Sequence, residues 1–152
     1  MNKLYRDLIV KHYRNPLNKG LVKDSESINY RVMQKKNISC GDEIILQVKF
    51  ENRNITDIKY EVRGCAILIA SASLLSSHLN KNNLILAFHK IQNFCNMLKN
   101  KFFDPSYLDK ELQSLKVIQN FPGKFICASM PWTLLLQMIK NQAKNKKILI
   151  SF

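Results

Sequence analysis

EIILQVKFENRNITDIKYEV, residues 43–62, decides the fold class. In its first half Ile44, Leu46, Val48 and Phe50 share one face, while Glu43, Gln47 and Lys49 sit mostly on the other. In its second half Ile58, Tyr60 and Val62 alternate with Lys59 and Glu61, and Asn52-Arg53-Asn54 separates the halves. Two runs of period two joined by a polar turn predict a β-hairpin with one buried face. Upstream, INYRVMQ (28–34) predicts a further strand, so the three make an antiparallel meander.

On either side the period changes. Residues 3–14 predict a helix with Leu4, Leu8 and Ile9 on one face and Tyr5 and His12 nearby. Asn15-Pro16 ends it, because a residue before proline avoids the helical region. After the hairpin, residues 66–79 and 84–98 have helical patterning, and PSYLDKELQSL (105–115) opens as a helix start would. A last helix is expected from Pro131 onward. Strands followed by helices imply an α+β domain, with helices packed on one face of a three-stranded antiparallel sheet. No internal repeat or long linker interrupts residues 1–152, which read as a single domain. The apolar end of the chain, KKILISF (146–152), fits a docked strand, a helix extension or a partner contact equally well.

The bulk numbers agree with that class. A chain of 152 residues, 46% of them hydrophobic, can bury a core without staples. The longest weakly polar run, CAILIASASLL (65–75), is too short to span a bilayer, and the start carries no signal pattern. A soluble cytoplasmic protein with no membrane partner is the expectation. The formal net charge of +13 raises nucleic-acid binding by a basic domain with a structural metal. However, Lys and Asn are scattered along the whole chain, with no Arg-rich helix and no basic stripe interleaved with aromatics. Nucleic acid is therefore disfavoured, and the charge suits steering of an acidic protein partner.

Four cysteines, Cys40, Cys65, Cys95 and Cys127, are few for a disulfide scaffold, and in a cytosolic protein they point to metal or catalytic use. Cys40 lies in the turn before the second strand, with Asp42 at that strand's start. Cys65 follows Gly64 at the end of the third strand and the mouth of a helix, where the helix dipole favours the thiolate that metals bind. Hairpin pairing brings the start of strand two beside the end of strand three, so Cys40, Asp42 and Cys65 converge. Cys127, expected just before the last helix, is placed to join them. Three sulfurs and a carboxylate suit tetrahedral zinc, although thiolates also accept iron or an iron–sulfur cluster. Gly41 between the first two ligands permits an unusual turn close to the metal. Cys95, beside Phe94 and Met97 in a helical pattern, is a small buried residue. His12, Tyr13, His78, His89 and Trp132 are assigned packing, capping or surface roles.

Four stretches resemble the U-type iron–sulfur cluster assembly proteins, SufU and IscU, and the N-terminal part of NifU. LYRDLIVKHYRNPLNKG (4–20) resembles the family's opening helix and its HxRNPxNxG end, and NISCGDEIILQVKF (37–50) its NPxCGDxIxL segment. YEVRGCAILIASASLL (60–75) and PGKFICASMPWTLLL (122–136) resemble the segments around the second and third cysteines. Ile126 stands where IscU usually has a histidine before the third cysteine, and CASMPW is similar to the SufU pattern. The stretch from Ser76 to Cys127 also leaves room for the extra segment typical of SufU, so the SufU branch is favoured.

The resemblance implies zinc held by Cys40, Asp42, Cys65 and Cys127. It implies a zinc-dependent sulfurtransferase that takes persulfide sulfur from a SufS-like cysteine desulfurase. Cys40 would accept the sulfur and pass it to a cluster scaffold or apo-protein acceptor. The alternative is a scaffold on which the cluster itself is built and transferred. Three positions depart from the family pattern: Ile38 replaces a proline, Val62 a glycine, and Lys124 an arginine whose planar fork is lost.

Overall fold

A computed structural model describes residues 3–148 and 150 of the chain. The elements run α1 (Lys3–Arg14), β1 (Arg31–Lys36), β2 (Glu43–Glu51), β3 (Asn54–Arg63), α2 (Ala66–Leu79), α3 (Leu84–Leu98), α4 (Lys110–Ser114) and α5 (Pro122–Asn145). Short 3-10 turns cover Ser25–Asn29, Pro105–Tyr107 and Leu115–Asn120. The strands form one antiparallel sheet in the order β1-β2-β3.

The hairpin forms as its alternation requires. Ile44, Leu46, Val48, Ile58 and Tyr60 are fully buried on one face, against which α2 and α5 pack. The register pairs Ile44 with Val62 and Glu43 with Arg63, and a bulge at Lys49/Phe50 adjusts the far end. Gln47, on the opposite face, is also buried: its amide accepts from the Val22 N–H at 2.6 Å and donates to the Val22 carbonyl at 2.9 Å. The chain after α1 thus crosses the outer face of the sheet, and Gly20 N–H bonds the Tyr60 carbonyl at 2.8 Å on the way.

Four expectations are corrected. The first strand is 31–36, not 28–34, because Asp24 caps a 3-10 turn that takes up Ser25–Asn29. The inward face of α1 is Tyr5, Leu8 and His12, whereas Leu4 is 47% exposed. The helix expected over 105–115 is broken: Asp109 caps a short α4 through Leu112 N–H at 2.9 Å, and a separate 3-10 turn precedes it. The last helix begins at Pro122, nine residues before Pro131, which lies inside it. Pro122 occupies the first turn, where a missing N–H leaves no bond unmade.

The end of the chain is neither strand nor helix over the residues described. Ile150 is buried and Ile148 packs against the core, and both lie outside any regular element. Trp132 is fully buried, stacks on Phe94 with ring centroids 4.0 Å apart, and donates to Ser71 Oγ at 2.9 Å. His12 is buried against Ser73 Oγ at 2.7 Å. Among the described residues no helix is long and apolar enough to cross a membrane.

Candidate metal centre

The β1–β2 connection, residues 37–42, is closed by two backbone bonds: Asn37 N–H to the Asp42 carbonyl at 2.7 Å, and Gly41 N–H to the Asn37 carbonyl at 2.8 Å. Asn37 Oδ1 also accepts from the Ser39 hydroxyl at 2.8 Å. Gly41 takes φ +77°, a left-handed conformation that costs a glycine little. The tight loop presents Cys40 to solvent and turns Asp42 inward, where it is only 5% exposed.

Across the hairpin, Gly64 lies beside Asp42. A Cβ at Gly64 would stand 2.3 Å from Asp42 Oδ1, 2.8 Å from its Cγ and 2.9 Å from Leu68 Cδ2. Glycine here is a steric requirement of the carboxylate's position. The next residue, Cys65, is the N-cap of α2, yet its side chain makes no capping bond. Its thiol points instead to Asp42 Oδ2 at 3.9 Å. Cys127 comes from the second turn of α5 rather than from a preceding loop, is 6% exposed, and donates to the same Asp42 Oδ2 at 3.0 Å. Burial, then the bonds to Asp42 and Cys65, push the Cys127 thiol well above its ordinary range.

Asp42, Cys65 and Cys127 place one ligand atom each within 4.8 Å of one another. No ion pair involves Asp42 among the described residues. A buried carboxylate facing two thiols and no cation is a costly arrangement by itself. A divalent ion would resolve it, and an oxygen-plus-sulfur donor set is of the kind that zinc accepts. Cys40 stands outside the three-donor group but lines the same open cleft, of about 580 Å³, with Ser39, Gly123 and Lys124. Ile126 also lines the cleft and is 51% exposed, and Ile38 on the facing loop is 92% exposed. The apolar Ile126 offers no donor atom.

Sequence reasoning missed the contact between Gly64 and Asp42. The signal was the glycine immediately before Cys65, opposite Asp42 in the hairpin register. Cys95 is buried apart from the centre, and burial pushes its thiol up to about 11.

A small α+β domain with a cysteine–aspartate cleft at the end of its hairpin defines a class, and comparison places the chain in it. Residues 4–121 match the model of the NifU-like N-terminal domain. The chain belongs to this family. It is 33% identical over 135 residues to the "Zinc-dependent sulfurtransferase SufU" of Bacillus subtilis, covering 89% of this chain and 88% of that protein. It is 31% identical over 137 residues to the "Iron-sulfur cluster assembly scaffold protein IscU" of Thermotoga maritima, covering 90% and 93%. In three dimensions it resembles a crystal structure described as a putative scaffold protein for the SUF system from Fervidobacterium islandicum. The TM-score is 0.76 at 28% identity, covering 86% of this chain and 92% of that one. The expected fold, three antiparallel strands with helices against them, is thereby borne out.

Proposed function

We propose that this protein serves iron–sulfur cluster assembly as a zinc-dependent sulfur carrier between a cysteine desulfurase and the cluster-building machinery. The observation that supports the reading best is the convergence of Asp42, Cys65 and Cys127 on one point, with exposed Cys40 in the same cleft. Asp42, Cys65 and Cys127, with Cys40 as the fourth ligand, would hold zinc, as in the name carried by the Bacillus relative. Bound zinc would supply the charge that keeps the thiols deprotonated at neutral pH.

Cys40 is the acceptor in this reading, because it is exposed on a short loop while Cys127 is buried and Cys65 sits at a helix mouth. Its thiolate attacks the outer sulfur of the desulfurase persulfide. A new S–S bond forms on Cys40, the old S–S bond breaks, and the desulfurase cysteine leaves as a thiolate. No net oxidation is needed. The buried Asp42 anchors the facing side of the cleft, and Lys124 on its rim carries positive charge toward an incoming anionic sulfur.

The scaffold reading draws on the Thermotoga relative, whose printed role is assembly rather than transfer. Ile126 favours the carrier, since a side chain without a donor atom at the cleft adds nothing to holding a cluster. Metal analysis of protein purified without oxygen, followed by incubation with a desulfurase and cysteine, separates them. One equivalent of zinc and persulfide on the protein support the carrier. A cluster that forms on the protein and passes to an apo-protein overturns it in favour of the scaffold.

A further inference from the structure

The two edges of the sheet are finished differently. The outer edge of β3 is covered by chain: Lys19 and Asn83 form bridges with Tyr60 and Asn54, and the Gly20 N–H bonds the Tyr60 carbonyl. The outer edge of β1 is open. β1 pairs with β2 alone, in unbroken register from Arg31 opposite Val48 to Lys36 opposite Glu43. The Asn37 N–H bonds the Asp42 carbonyl, so by alternation Arg31, Met33 and Lys35 turn their backbone groups to β2. Val32, Gln34 and Lys36 therefore turn N–H and C=O outward, and among the described residues no hydrogen bond reaches those backbone groups.

A depression of about 370 Å³ lies between this edge and the C-terminal half of α5, where Tyr30 and Met33 face Met138, Gln142 and Asn145. Gln142 is 6% exposed, and among the described residues its side-chain amide has no hydrogen-bond partner. A nearly buried amide left unbonded is costly, and the depression is the side from which a partner reaches it. The strand wall is basic. Arg31, Met33 and Lys35 alternate on the same face as Leu46, the face toward α5. Arg31, Lys35 and Lys36 make no ion pair among the described residues. Basic side chains on an edge strand discourage pairing with another basic edge and leave it complementary to an acidic one.

The geometry points to the open edge of β1 as a docking site for an extended acidic segment of a partner protein, added beside it as an antiparallel strand. The segment's backbone pairs with Val32, Gln34 and Lys36. Its side chains on the α5 side meet Arg31, Met33 and Lys35, so the complementary pattern is acid, apolar, acid at every second position. Gln142, below that face, supplies an amide for a polar group of the segment. This chain does not carry the pattern itself: its only acids four positions apart, Asp57 and Glu61, enclose Lys59. Two copies, each with a net charge of +13, also repel. The occupant is therefore a different protein. β1 runs directly into the 37–42 loop that carries Cys40, so a segment on this edge ends beside the cysteine cleft. The site shares no residue with the metal centre and stands whether that centre carries sulfur or builds a cluster.

Fluorescence anisotropy of a labelled, end-blocked peptide, Thr-Glu-Thr-Val-Thr-Glu-Thr, titrated with the full-length chain at low ionic strength tests this. Wild type binds it saturably. Arg31→Glu with Lys35→Glu weakens binding at least about tenfold. Val32→Pro removes one outward N–H, keeps the bonds to β2, and weakens binding about two- to tenfold. The same peptide N-methylated at its two central threonines, whose N–H groups face β1, loses binding to wild type at unchanged charge. That arm carries the backbone test if Val32→Pro misfolds. No saturable binding to wild type overturns the proposal, and equal binding of the N-methylated peptide overturns it in favour of a charge contact alone. Self-association of wild type that Val32→Pro abolishes overturns it in favour of a second copy on this edge.

Discussion

Gly64→Ala tests the geometry of the centre through a residue that binds nothing. The added methyl would lie 2.3 Å from Asp42 Oδ1 and 2.9 Å from Leu68 Cδ2. Leu68 is fully buried and Asp42 nearly so, so neither side chain has free space into which to retreat. Overpacking of this kind costs about 1–3 kcal/mol. At about 2–4 °C per kcal/mol for a chain of this size, the metal-free protein should melt roughly 2–12 °C lower. The carboxylate gives way more easily than the backbone, so Asp42 leaves the point it shares with Cys65 and Cys127. Loss of that support should weaken metal binding by about 10- to 100-fold. Thermal unfolding of the apo-protein gives the first number, and competition with a chromophoric chelator gives the second. Gly123→Ala is the control: Gly123 lines the same cleft, but a methyl there meets nothing within 4 Å. If Gly64→Ala binds metal as tightly as Gly123→Ala and melts with it, the placement of Asp42 over Gly64 is wrong.

Other perturbations separate the centre from the core. Cys127→Ser replaces a thiolate by a poor ligand; metal content should fall well below one equivalent, and the stabilisation of the fold by added zinc should vanish in thermal shift measurements. Cys95→Ala should leave metal content unchanged, at a cost of about 1 kcal/mol for the lost buried sulfur. It also has a pH signature. The folded-state pKa of Cys95 is raised from 9.0 to about 11 by burial, so its contribution is fully present below pH 9.0 and is lost as pH rises through about 11. Alkaline unfolding of Cys95→Ala should therefore be shallower than that of wild type over that window. Trp132→Phe removes the bond to Ser71 Oγ, which keeps its own bond to the Ala128 carbonyl, for a loss of about 0.5–1.5 kcal/mol by denaturant titration and no change in metal affinity.

The hairpin was legible because one face of β2 and β3 is buried and alternation follows directly from burial. The existence of β1 was legible but its bounds were not, because RVMQKK is an edge strand exposed along nearly all its length and its side chains do not mark where the pairing starts and stops. The start of α5 was misjudged because Pro122 and Pro131 both satisfy the preference for proline in a first turn, and Pro131 is tolerated inside the helix. That error moved Cys127 from a loop to a helix without moving it away from Asp42. The neighbourhood of Asp42 and Cys65 followed from strand register alone, since Glu43 pairs with Arg63. The exposure of Cys40 and the steric demand at Gly64 depend on a left-handed turn and on side-chain direction, which residue spacing does not encode. His78 read as a surface residue because its partners, Asp109 and Glu111, lie 31 and 33 positions away, in a segment whose helix is interrupted.

The central claim is that Cys40, the exposed fourth ligand of the centre, leaves the metal to carry sulfur while Asp42, Cys65 and Cys127 retain it. The most direct measurement is mass spectrometry of the protein after incubation with a cysteine desulfurase and cysteine, with persulfides trapped by alkylation and mapped by peptide. The account predicts one added sulfur on the peptide containing Cys40, and none on Cys40→Ala protein that still retains metal. Sulfur of equal yield on Cys65 or Cys127 in the Cys40→Ala protein would contradict it.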